Sequence, residues 1–130
     1  MDNAGEFKPI ERIPHVLLRE PLIWFFAEHY RHRDVCGRLM VLSQSVIFDE
    51  AAMRDVYVFL DQDLPLHVID EEDDLFPLLR RRCEPDDQIE KVLGMLSAEH
   101  ANDMVDAAAV KSIVARALAE QRGLASFVEA

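Results

Sequence analysis

The sequence predicts an all-α protein, an antiparallel up-down bundle of helices. Three observations carry this. Gly occurs four times in 130 residues, too few for a loop-rich all-β chain, while half of the residues are apolar. The apolar residues recur at helical spacing over long stretches. Start and stop signals fall between those stretches, at Pro21, Asp49, Glu84-Pro85-Asp86-Asp87 and Gly123.

Residues 1–20 read as an irregular arm that holds Pro9, Pro14 and His15, the last a packing or solvent-facing histidine. Residues 21–130 read as one helical bundle domain. Its first helix is predicted over 21–43, because Pro21 suits a first helical turn. With His29 at the centre of a face, Leu22, Phe25, Phe26, Cys36 and Met40 lie within ~60° of it, so His29 reads as inward-facing. His32 falls at the edge of that face. Asp49 is the N-cap of a second helix over 50–82, with Glu50 in its first turn. Pro65 and Pro77 each remove a backbone hydrogen bond and should bend this helix; a break at Leu64-Pro65 is the competing reading. A third helix is predicted over 86–120. Centred on His100, its inward face holds Ile89, Leu93, Leu96, Met104, Ala107 and Val114. Gly123 ends that pattern, and residues 124–130 open a fourth helix.

Composition excludes some functions. A net charge of −11 argues against nucleic acid, whose binding rests on Lys and Arg, and against an anionic membrane surface. No apolar run reaches the ~18 residues of a membrane span. The N-terminus has no basic stretch followed by an apolar one, as a secretory leader would. Cys36 and Cys83 form no CxxC pattern and read as buried, reduced thiols of a cytoplasmic protein.

The chemistry centres on His67 and Glu71. Four residues apart in a helix, they share one face. Met53, Val56, Leu60, Leu64 and Leu78 lie on the same side, so the pair points at a core. A carboxylate is rarely buried without a cation, here a metal ion or an Arg or Lys. The two cases differ in a test. If Glu71 is a metal ligand, Glu71→Gln should leave the metal-free fold as stable or more so. If it pairs with an Arg, the substitution should weaken the fold by about 3–5 kcal/mol.

Helix rise brings further residues to the same level. With turns near residues 46 and 84–85, His29 and His67 differ in depth by ~6 Å, and Glu71 and His100 by ~4 Å. Loop residues, the Pro65 bend and side-chain reach can absorb these differences. His29, His67, Glu71 and His100 then form one layer. Three imidazoles and a carboxylate in an apolar shell are a donor set for a transition metal, with Phe25, Phe26 and Leu64 as walls. The bland alternative is three core histidines and a Glu71–Arg pair. Within the acidic run 70–74, Glu72 and Asp73 read as a solvated face. Asp74 could orient a ligand imidazole, and Asp103 is a surface carboxylate. Ser43, Ser45, Ser97 and Ser112 have no triad-like neighbours and read as surface or loop residues.

At these residues the chain resembles a known family. Glu28-His29, then Leu64-Pro65-Leu66-His67-Val68-Ile69-Asp70-Glu71-Glu72-Asp73-Asp74-Leu75-Phe76-Pro77, then Glu99-His100, look like the hemerythrin-like HHE cation-binding domains. The resemblance runs from about Pro21 to the C-terminus. It implies a four-helix bundle holding a non-haem di-iron centre that binds or senses oxygen, nitric oxide or iron. It makes His29, His67, Glu71 and His100 the ligands, with Glu71 bridging. The family takes more ligands from its last helix, a histidine with an acidic residue about one turn on. No histidine follows His100, so the fourth helix reads as truncated: either the chain is a fragment of a longer protein or the site is incomplete. Such a site holds one metal weakly, is finished by a partner chain, or is empty. The apolar groove left open predicts a homodimer or higher assembly. Two other functions stay open: a helical protein-interaction module with an empty site, and a di-iron oxidase or peroxidase-like enzyme. A binding or sensing protein leads, because the chain has no Gly-rich phosphate loop, no nucleophile with an evident base and no His-Glu-x-x-His.

Overall fold

A computed structural model describes residues 7–14 and 20–128. All regular structure among them is helical. The first helix, Pro21–Ser43, starts on its proline as expected. The second occupies residues 50–82 without a break. Asp49 caps it, Oδ1 accepting from the Ala52 N–H at 3.1 Å. This helix is not uniform. Three α-helical segments, Glu50–Val58, Leu64–Asp70 and Phe76–Arg82, are joined by two π-helical turns, Phe59–Asp63 and Glu71–Leu75.

The π turns explain how two prolines sit inside a continuous helix. Pro65 and Pro77 are each the second residue of the α segment that follows a π turn. Neither can donate to the carbonyl four residues back, and each ring crowds that carbonyl. A turn widened by one residue just before the proline relieves both problems. The backbone stays helical across the junction, with Leu64 at φ −65° and ψ −46°, so the competing break at Leu64-Pro65 does not occur.

The third helix, Ile89–Glu120, begins three residues later than the sequence suggested. Pro85–Asp87 form a 3₁₀ turn, and Gln88 turns the chain with a left-handed φ of 52°. A short helix, Ala125–Val128, follows. Gly123 is needed on the way into it. A Cβ there would lie 2.1 Å from the Val46 carbonyl carbon, because the loop after the first helix crosses at this point. Ala125 N–H donates to the Ser45 carbonyl at 3.0 Å across the same contact.

Pairs between neighbouring helices run in opposite order along the chain. Arg38 faces Asp55 at 3.9 Å, Arg31 faces Asp63 at 2.6 Å and His29 faces Glu71 at 3.2 Å. Between the second and third helices, Lys111 meets Asp61, Ser97 meets Glu72 and Arg80 meets Glu90. These pairs tie the three long helices to one another. The core between them holds Val35, Leu42, Met53, Val56, Phe59, Val114 and Ala117. Each fully buried Val, Met or Phe contributes about 1.5–3 kcal/mol. The arm adds to this core: Ile10 is buried, and its N–H donates to Asp55 Oδ2 at 3.0 Å.

One face was misassigned from sequence. Leu22, Phe26, Cys36 and Met40, expected inward with His29, are all exposed. The buried stripe of the first helix runs instead through Glu28, Val35, Arg38 and Leu42. The helix is apolar on two sides, and periodicity alone does not say which side meets the second helix. Both cysteines are free, and Cys36 is exposed rather than buried. His15 lies outside the described residues.

Candidate metal centre

Glu71 lies at the centre of the site and is 6 % exposed. Its two oxygens face different partners. Oε1 is in short contact with His67 Nε2 and lies 3.2 Å from His29 Nε2. Oε2 lies 3.4 Å from His100 Nε2. Among the described residues the side chains that meet this carboxylate are thus imidazoles, one from each of the three long helices, and neither Arg nor Lys.

Carboxylates stand behind two of these rings. His67 Nδ1 donates to Glu28 Oε2 at 2.6 Å. His100 Nδ1 donates to Glu72 Oε2 at 2.9 Å, and Glu72 also accepts from Ser97 Oγ at 2.7 Å. The His100 ring stacks on Phe76, with centroids 5.7 Å apart. A proton held on Nδ1 leaves Nε2 as the nitrogen that faces Glu71, and it fixes the ring's orientation. His29 has no such partner and its side chain is half-exposed.

Glu28, Glu72 and Ser97 were not given these roles by the sequence. Glu72 read as solvated because a uniform helical period turns it away from the core. Glu72, about 100° round the helix from Glu71, meets the third helix, which packs on that side. The signal available was spacing: Ser97 lies one turn before His100, and Glu28 is one turn from His32. Asp74 and Asp103, the other candidates, are both exposed.

The electrostatics follow from this packing. Burial alone would push His67 down, but its hydrogen bonds to Glu28 and Glu71 raise its pKa to about 9. Burial would push Glu71 up, yet its hydrogen bond to His67 holds it at about 2. Glu72 is lowered chiefly by its hydrogen bond from Ser97. His32 is lowered to about 4, first by burial and then by His67 and His29. Its ring lies 4.4 Å from that of His67 and 5.1 Å from that of Phe59.

These residues fit a metal ion. His29, His67 and Glu71 each offer one ligand atom, and the three atoms lie within 4.8 Å of one another. Bonds of about 2.0–2.2 Å from one ion reach such a set after small shifts. Two buried polar atoms beside it, Glu28 Oε1 and His32 Nε2, have no hydrogen-bond partner. The model of the Hemerythrin HHE cation binding domain matches residues 21–130. The chain belongs to the hemerythrin HHE cation-binding family. No curated protein and no solved structure matches it. As in the name of its family, an HHE domain is a cation-binding one, and among the described residues the His29–His67–Glu71 cluster is a place where a cation fits. No described helix of this HHE domain is long and apolar enough to cross a membrane.

Proposed function

We propose that this HHE domain binds non-haem iron through His29, His67, Glu71 and His100, and that it binds or senses oxygen, nitric oxide or iron. The observation that carries the reading is the split carboxylate. Glu71 Oε1 faces His29 and His67 while Oε2 faces His100, as a carboxylate bridging two metal positions would. An iron ion with an open position supplies the affinity for a small diatomic ligand. The protein's share is to hold the donors still. Glu28 and Glu72 keep the Nδ1 protons of His67 and His100, so that Nε2 is the nitrogen presented. Phe25 packs edge-on against His67 with centroids 5.9 Å apart, and Phe76 covers His100, which keeps water from the buried side.

The up-down bundle with residues 1–20 as an arm and 21–130 as the binding domain goes with this reading, and the reversed order of interhelical pairs supports it. Two free cysteines suit a reducing cytoplasm. The test is metal analysis of protein from iron-supplemented cells, with spectra recorded before and after oxygen is admitted. Bound iron with a reversible absorption change supports the sensor. Turnover of peroxide or iron(II) would move the reading to an oxidase. A stable fold that takes up no metal would leave an interaction module.

A further inference from the structure

We propose that His32 is an additional ligand of this centre, its Nε2 joining His29, His67 and Glu71 around one ion. The inference rests on the metal-binding reading above. His29 and His32 are three residues apart on the first helix and so lie on adjacent turns of one side. The His32 ring is nearer to His67 than His29 is: 4.4 Å between centroids against 5.1 Å. Yet His29 belongs to the triad and His32 makes no polar contact through Nε2, which is buried without a partner. A buried polar atom with no partner asks for an explanation.

The neighbours do not meet that nitrogen: even Glu28 Oε1, one turn back on the same helix, is itself buried without a partner. Both nitrogens of His67 are engaged, Nδ1 with Glu28 and Nε2 with Glu71. Phe59 meets the His32 ring with an edge-on aromatic face, which accepts no strong hydrogen bond. Arg31, the adjacent residue, is tied to Asp63 at 2.6 Å. An ion beside Glu71 Oε1 would satisfy the nitrogen. His32 lies outside the group of ligand atoms that are within 4.8 Å of one another, so its ring must turn about its side-chain torsions to join them. The ion would then have three imidazoles and one carboxylate, four protein ligands that still leave an open position on an iron ion able to take more than four. Every ligand would come from His29-x-x-His32 and His67-x-x-x-Glu71, with none required from another helix or another chain. His100, on the Oε2 side, would stand outside this set.

The experiment titrates the metal-free full chain with cobalt(II), followed by visible absorption and by proton NMR of hyperfine-shifted imidazole N–H signals. His32→Phe keeps an aromatic ring and removes the nitrogens. We expect its cobalt affinity to fall at least about tenfold, one shifted N–H signal to vanish, and helicity by circular dichroism to be unchanged. If His32→Phe does not fold, His32→Gln replaces it with the same expected loss of one signal. Wild-type affinity and an unchanged set of shifted signals in the variant would overturn the role of His32 alone. A wild-type chain that takes up no cobalt would overturn the metal reading itself, and this inference with it.

Discussion

Metal uptake by this domain should release a proton, and the structure says from where. In the metal-free chain His67 donates through Nδ1 to Glu28 and faces Glu71 through Nε2, so its imidazolium persists up to about pH 9. A ligand nitrogen must give up its proton. Affinity should therefore rise with pH until His67 loses that proton unaided. Between pH 7 and 8.5, a pKa of about 9 predicts a gain of about 25-fold, or ~1.9 kcal/mol. An unperturbed histidine near 6.5 would give only about 1.3-fold over the same interval. Glu71, at about 2, and His32, at about 4, change charge below this window and add no slope. Cobalt(II) titration against a competing chelator measures the slope. Calorimetry in buffers of different ionisation enthalpy counts the protons. Glu28→Gln removes one of the two carboxylates that hold the proton and should flatten the slope. A wild-type affinity that is flat between pH 7 and 8.5 would refute the Glu28–His67–Glu71 arrangement.

The same groups shape the stability of the metal-free fold. His67, raised to about 9, contributes stability present below pH 6.5 and lost as pH rises through 9; His32, lowered to about 4, and Glu71, lowered to about 2, contribute stability lost as pH falls through those values. The denaturation midpoint should peak near pH 6.5 and fall on both sides. Gly123→Ala places a methyl 2.1 Å from the Val46 carbonyl carbon; the backbone must move, and urea denaturation should show a loss of about 1–3 kcal/mol. The exposed stripe of Leu22, Phe26 and Met40 should drive self-association, and light scattering of the metal-free chain should return more than a monomer mass.

Helix positions were legible because punctuation is local. Pro21 and Asp49 act within one turn of where they stand, and the helices begin there. The convergence of His29, His67, Glu71 and His100 on one level also came from counting residues along rods of known rise. Helical phase was less accessible. A π turn adds one residue to a turn, so a wheel drawn at a constant angle drifts after Phe59 and again after Glu71. Glu72 was misplaced because the third helix packs against the side on which it lies. The first helix failed for another reason. With apolar residues on two sides, its own sequence does not choose between them. The choice was made by Glu28, Val35 and Arg38 meeting the second helix, which is a tertiary fact. The partners of the imidazoles were hidden because an acidic residue in an acidic chain carries no mark of what it will meet.

Glu71→Gln shows what this difference does to an expectation. Sequence reasoning allowed a metal or an Arg as the cation, and it expected a metal-ligand Glu71 to be unfavourable in the metal-free fold. The structure supplies a third cation, the His67 imidazolium. The substitution should then destabilise the metal-free fold where His67 is charged, by about 1.5–3 kcal/mol, the range for a hydrogen bond to a charged group. The loss is smaller than for a stranded Arg because Glu28 still holds Nδ1. It should also depend on pH. Above about 9 His67 is neutral in the wild type, so the wild type has no ion pair left to lose and the gap between the two proteins should close. Denaturant titrations of both metal-free proteins at pH 6.5 and pH 10 measure this directly. Equal stability at pH 6.5, or a gap that stays the same at pH 10, would mean that His67 is not the partner of Glu71. Metal content of the variant is a separate readout: it should fall steeply whatever the apo stability does, because an amide oxygen carries no charge to set against the ion.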